Sequence, residues 1–135
     1  MRKSPVIGQV EVRIDAIVNP SECSEKVISA ISNVFDGCPP ELKYGSLIVA
    51  RCNGIRFLNT IYEQVRSRSA MGVLRRMLTD NRISNTTWFL LNKQAAAAGI
   101  VAVIDNESES PLGPIRVTTV SDELDKLVDW LTPLE

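Results

Sequence analysis

The chain predicts an α+β domain: a two-layer sandwich with the order βαβααβββα, its antiparallel or mixed sheet covered by helices mainly on one face. Three observations carry this. Val10-Glu11-Val12-Arg13-Ile14-Asp15-Ala16 alternates apolar and polar residues strictly, as a strand with one buried face does. Two amphipathic segments then follow one another between residues 55 and 78 with no strand between them. Late in the chain three strand-like segments succeed each other across turns alone, which implies hairpins, while helices between the early strands imply crossovers.

Each element has its own signal. Asn19-Pro20-Ser21 ends the first strand, and the region Ser21 to Ser24 caps a helix whose Val27, Ile28, Ala30, Ile31, Val34 and Phe35 share one face. Gly37-Cys38-Pro39-Pro40 stops that helix. Leu47 to Ala50 reads as a second strand, closed by Asn53-Gly54. From Ile55 to about Arg66, Phe57, Leu58, Ile61, Tyr62 and Val65 form one apolar arc. The next helix, about Ser67 to Leu78, docks by Ala70, Met71, Val73, Leu74, Met77 and Leu78. It holds Arg68, Gly72, Arg75 and Arg76 on the opposite side.

Thr86 to Leu91 is rich in β-branched and aromatic residues and predicts a strand in which Trp88 and Phe89 point to opposite faces. Ile100 to Ile104 is expected as its antiparallel neighbour across an Asn92-Lys93-Gln94 turn. Ser108 to Pro114 is a loop, Ile115 to Val120 the last strand, and Asp122 to about Leu131 the final helix. That helix turns Leu124, Leu127, Val128 and Leu131 inward and keeps Asp122, Glu123 and Asp125 in its first turn, where carboxylates favour the macrodipole.

A length of 135 residues fits a single domain over 1–135, with 1–9 expected as a flexible lead. The longest apolar run, Ala95 to Ile104, is about half the roughly 20 residues of a membrane helix. The N-terminus lacks the apolar core of a signal peptide, so a cytoplasmic protein is expected. Cys23, Cys38 and Cys52, odd in number and without ligand spacing, are expected as free thiols.

The chain has no histidine, which excludes an imidazole general base, a histidine metal ligand and a histidine-centred triad. No cofactor, metal or catalytic residue is predicted. Lys93, flanked by Asn92 and Gln94, is the one candidate for base or electrophile chemistry, and the same lysine could equally cap a turn or pair with an acid. Gly113 lies in a Pro-Leu-Gly-Pro turn and cradles no phosphate.

The net charge of −1 conceals a segregation. Residues 51–93 hold eight bases, seven of them arginine, against Glu63 and Asp80, a balance of +6. Residues 94–135 set eight acids against Arg116 and Lys126, a balance of −6. Arginine's flat fork suits phosphates, so the asymmetry points to a polyanion or to two complementary surfaces. A solvated helix face is the plain alternative.

Four segments also resemble one family. Asn19-Pro20, Leu91-Asn92-Lys93-Gln94-Ala95-Ala96 followed by Gly99, Pro111-Leu112-Gly113-Pro114-Ile115, and Asp129-Trp130-Leu131 with Pro133 occur in its order. Together they are similar to uncharacterised archaeal proteins catalogued as predicted RNA-binding proteins, some proposed as companions of the exosome. The resemblance spans roughly residues 10–133. It implies a fold similar to ribosomal protein L-five and an RNA-associated, non-catalytic role, with assembly of exosome or ribosome type as a further partner. One departure stands out: the family tends to have aspartate where this chain has Gly72.

The expected RNA site combines Arg66, Arg68, Arg75, Arg76 and Arg82 on phosphates with Asn92, Lys93 and Gln94 on phosphates or base edges. Few aromatic residues are free for stacking, so structured RNA recognised by its backbone is the expected partner. The alternative is a self-assembling interaction module. In it the basic 51–93 and acidic 94–135 segments pair between protomers, without nucleic acid.

Overall fold

The computed structural model describes residues 7–67 and 69–133, and of Ser67 the backbone alone. Arg68, expected on the third helix, and the first six residues of the lead lie outside the described residues.

Strand β1 (Val10–Ile17) pairs antiparallel with β3 (Leu47–Asn53) on one side and β6 (Ile115–Ser121) on the other. Beyond β3 lies β2 (Glu41–Lys43); beyond β6 lie β4 (Thr86–Leu91) and then β5 (Val103–Ile104). The order β2-β3-β1-β6-β4-β5 makes a six-stranded sheet, antiparallel at every pair.

Period-two burial sets its orientation. Val12 and Ile14 of β1, Ile48 and Ala50 of β3, Val117 of β6 and Phe89 of β4 are buried beneath the helices. Each of these side chains larger than alanine contributes about 1.5–3 kcal/mol. A one-residue slip of β1 would send Arg13 and Asp15 inward instead, so the core holds the register. The helices are α1 (Ser24–Val34), α2 (Asn59–Ser67), α3 (Met71–Asp80), α4 (Lys93–Ala97) and α5 (Leu124–Leu131). The alternate sheet residues, among them Glu11, Arg13, Asp15, Arg51, Arg116, Thr118 and Trp88, are exposed or half-buried. The sheet thus has a face covered by the α-helices, as expected, and a second face that is bare except at Leu90 and Ile104, with Trp88 on the bare side and Phe89 in the core.

Several elements differ from expectation. Strand β2 carries no alternating pattern and is closed to β3 by a hairpin through Tyr44 (φ 55°) and Gly45 (φ 74°). Helix α1 begins after Cys23, which makes no side-chain cap, so neither Ser21 nor Ser24 is the capping residue. A 3-10 turn over Ile55–Leu58 precedes α2. Helix α3 starts only at Met71, because Ser69 turns left-handed (φ 57°) just before it. Helix α5 starts at Leu124, leaving Asp125 as the acid in its first turn. Cys38 and Cys52 are joined in a disulfide with a Cα–Cα distance of 5.6 Å, and only Cys23 is free, which corrects the expectation of three free thiols. Both cysteines turn into the core, a convergence their spacing does not disclose.

The largest difference lies at residues 92–102. The expected turn is helix α4, and the expected strand shrinks to the two residues of β5. Asn92 caps α4, its side-chain oxygen accepting from the Ala95 N–H at 2.8 Å. At the other end Gly99 (φ 76°) closes a Schellman turn: the Gly99 N–H donates to the Ala96 carbonyl and the Ile100 N–H to the Ala95 carbonyl, both at 2.9 Å. The four alanines and the glycine therefore form a short helix with both ends specified.

Candidate nucleic-acid interface

Four arginines of the basic segment, Arg66, Arg75, Arg76 and Arg82, meet acceptors of the same chain. Arg66, on α2, donates to the carbonyls of Trp130 (2.9 Å) and Leu131 (3.3 Å) at the end of α5, and its guanidinium lies 3.4 Å from the Tyr62 ring centre. Tyr62 in turn stacks on Trp130 with centroids 4.5 Å apart. The last carbonyls of a helix have no partner within it, so a cation placed there satisfies them and favours the macrodipole. Arg75, on α3, does the same for the Thr132 carbonyl at 2.6 Å and pairs with Asp129 at 3.3 Å.

Arg76 pairs with Asp105, and Arg82 pairs with Asp125 and donates to the Ser84 carbonyl. The +6 and −6 segments thus close on each other within one chain through Arg75–Asp129, Arg76–Asp105 and Arg82–Asp125. The charge complementarity behind the self-assembly alternative is met internally.

The Asn92-Lys93-Gln94 cluster also turns inward. The Lys93 side chain is 4% exposed and its ammonium donates to the Ile17 carbonyl (2.6 Å), the Leu112 carbonyl (2.6 Å) and Glu22 Oε1 (2.9 Å). Three donors meet three acceptors. Glu22 Oε1 also accepts from the Asn19 N–H (3.0 Å) and the Asn19 amide (2.8 Å), and that amide donates to Leu112 as well. Burial alone would push the Glu22 carboxyl up; the bonds from Asn19 and Lys93 outweigh it and hold its pKa below the usual carboxylate value. The Lys93 N–H donates to Ser110 Oγ, which donates to the Gly113 carbonyl.

Three segments that are far apart in sequence thus meet around one ammonium: Asn19 with Glu22, Asn92 to Gln94, and Ser110 to Gly113. Asn92 spends its amide on the Glu109 carbonyl (3.1 Å) as well as its cap. With these commitments neither Asn92 nor Lys93 is offered to a phosphate or base; a buried lysine without its acceptors would be strongly unfavourable. Gln94 alone of the three is exposed. The partners of Lys93 and those of the α3 arginines are different sets.

Two residues outside the expected site hold α4 and the chain after it. Asn33, on α1, donates to the carbonyls of Ala96 and Ala97 at 3.2 Å. Gln64, on α2, donates to Gly99 (2.8 Å) and accepts from the Val101 N–H (2.7 Å). Both sit among other polar residues on amphipathic helices, so nothing in the sequence singles them out. Gly72 is exposed with open space about it, so an aspartate there would fit without displacing anything.

The architecture defines a class: a two-layer α+β domain with an antiparallel sheet, one bare sheet face and a structural lysine beneath its connecting loops. The chain belongs to the UPF0201 family of archaeal proteins, and the family model that matches it, over residues 11–120, is described as RNA binding. It is 40% identical over 128 residues to a UPF0201 protein of Sulfurisphaera tokodaii, covering 91% of this chain and 87% of that one. It is 35% identical to one of Pyrobaculum islandicum, covering 90% of each. Among solved structures it matches the UPF0201 protein from Methanococcus jannaschii at a TM-score of 0.76, with 30% identity over 93% of this chain and 94% of that one. An uncharacterised UPF0201 protein matches at a TM-score of 0.79, with 24% identity over 92% and 94%, and shows the same fold.

Proposed function

We propose that this chain is a non-catalytic RNA-binding domain. The observation that carries the reading is the family match, which runs from β1 to β6 and is described as RNA binding. The fold supports it, since the sheet leaves the β3, β1 and β6 part of one face uncovered by the α-helices and that part bears Arg13, Arg51 and Arg116. Phosphate contact by Arg76 and Arg82 enters this reading only as exchange. Their exposed pairs with Asp105 and Asp125 contribute about 0–1 kcal/mol, which a phosphate can replace. Arg66 and Arg75 hold the end of α5 and act through the fold.

Titrating the protein into a fluorescently labelled RNA hairpin with a single-stranded tail tests the reading. Binding is expected to weaken linearly on a log–log scale as salt rises from about 50 to 200 mM, by roughly 0.7–0.9 in slope per phosphate contact. Absence of salt-sensitive binding at the lowest salt overturns it.

A further inference from the structure

We infer that the bare sheet face is a platform for an unpaired RNA strand, with a phosphate between Arg13 and Arg51 and bases against Trp88 and Tyr44. The inference rests on the RNA-binding reading and adds to it where the RNA lies and in which form.

Strand register places Arg51, Arg13, Thr118 and Trp88 side by side across β3, β1, β6 and β4. Two arginines directly opposite each other in an antiparallel pair destabilise a sheet. Here their ion pairs run to the same carboxylate: Glu11 is hydrogen-bonded to Arg13 and 3.7 Å from Arg51. Both guanidinium groups are open to solvent, with side-chain exposures of 46% and 65%, so packing does not call for them. A phosphate seated between them supplies the charge that one shared carboxylate leaves unmet.

The surroundings extend that spot into a track. A trough of about 490 Å³ is lined by Arg13, Lys43 and Arg51, and one of about 600 Å³ by Ser108, Gly113 and Arg116. Asp15 lines both, so the troughs adjoin across the sheet; its cross-strand neighbour is Arg116, which opposes its charge. By strand alternation Arg13, Lys43, Arg51 and Arg116 share this face with Glu11, Asp15 and Glu41, and Glu107 reaches over it to pair with Arg116 at 3.6 Å; the cationic excess is local to Arg13 and Arg51, which share Glu11.

Two aromatic rings lie near these cations. Arg116 lies 4.6 Å over the Trp88 ring. In the β2–β3 hairpin, Tyr44 beside Lys43 is 92% exposed and held at φ 55°, a conformation bulky residues avoid, while burying almost nothing. The exposed Tyr44 ring and the open edge of the half-buried Trp88 can stack bases, and only an unpaired strand can offer its bases to them.

The experiment compares a labelled single-stranded RNA of about 12 nucleotides with a duplex of the same sequence, using the full chain. Arg13→Gln with Arg51→Gln is expected to weaken single-strand binding at least tenfold and to flatten the salt slope by about 0.7, for the one phosphate between them. Tyr44→Ala should weaken binding and leave the slope unchanged. Lys26→Gln with Arg56→Gln, the same charge change away from this face, should stay within twofold. Circular dichroism melting confirms that each variant folds. If the wild type binds RNA and the Arg13/Arg51 variant binds equally well, or if duplex is preferred, the inference falls and the RNA reading stands. If the wild type binds neither RNA, both fall.

Discussion

The cations of the helix layer and those of the bare sheet face look alike in sequence and have opposite employment. Lys93, Arg66 and Arg75 reach backbone carbonyls and carboxylates that the fold itself leaves in want of a donor. Arg13 and Arg51 divide one carboxylate between them and point to solvent. A cation whose donors are matched by internal acceptors is spent on stability, whereas one with unmatched donors is available to a partner. The dense arginine segment is therefore largely self-neutralised, and the sparse arginines of the strands present the more available charge. Stability should accordingly follow the first group and RNA affinity the second.

The largest expected effect tests the stability half. Lys93→Met leaves Glu22, whose side chain is 10% exposed, without its counter-charge. Breaking one partner of a buried pair costs about 3–5 kcal/mol, to be read from chemical denaturation. Replacing both, Glu22→Met with Lys93→Met, should restore much of that loss. Retention of full stability by the single variant would break the comparison.

Acid sharpens the same point. The Glu22 pKa is lower folded than unfolded, so its contribution is complete above the unfolded value near 4.5 and fades as pH falls through the folded one. Glu22→Gln should be less stable than wild type at neutral pH, and the gap should close below pH 4.5. A gap that stays constant in acid denaturation would show that the carboxylate charge is idle.

Arg66 comes next. Arg66→Ala removes charge-assisted bonds to the end of α5 and the layer over Tyr62, a loss of about 1.5–3 kcal/mol in thermal or denaturant unfolding. Arg66→Lys should recover only part, because an ammonium has neither the fork nor the flat stacking face. Equal stability of the lysine variant and wild type would reduce Arg66 to a point charge.

The contrast also explains what could be seen beforehand. The alternation of Val10 to Ala16 named both the strand and its exposed arginine, and the adjacency of Trp88 and Phe89 assigned one ring to each face. Helix α4 escaped because five residues are too few for a periodicity, although Asn92 before it and Gly99 after it were cap signals in plain sight. Strand β2 escaped for the same shortness. The segregation of charge was real, but summing over segments hides pairing. That pairing depended on where β5 and α5 return Asp105, Asp125 and Asp129, and it is a tertiary fact. The family motifs were legible as strings, while their convergence on one ammonium required the fold.

The smallest expected effect is the most discriminating. Arg76→Gln with Arg82→Gln removes two exposed pairs, so stability should change by about 0–1 kcal/mol per pair. If phosphates replace Asp105 and Asp125, RNA binding weakens and the salt slope flattens by roughly 0.7–0.9 per contact; if the pairs persist, neither changes. Against the sheet-face variant the expected loss is the lesser one, because each phosphate must first displace a carboxylate already in place. A loss larger than that of Arg13→Gln with Arg51→Gln would invert the comparison and return the RNA to helix α3.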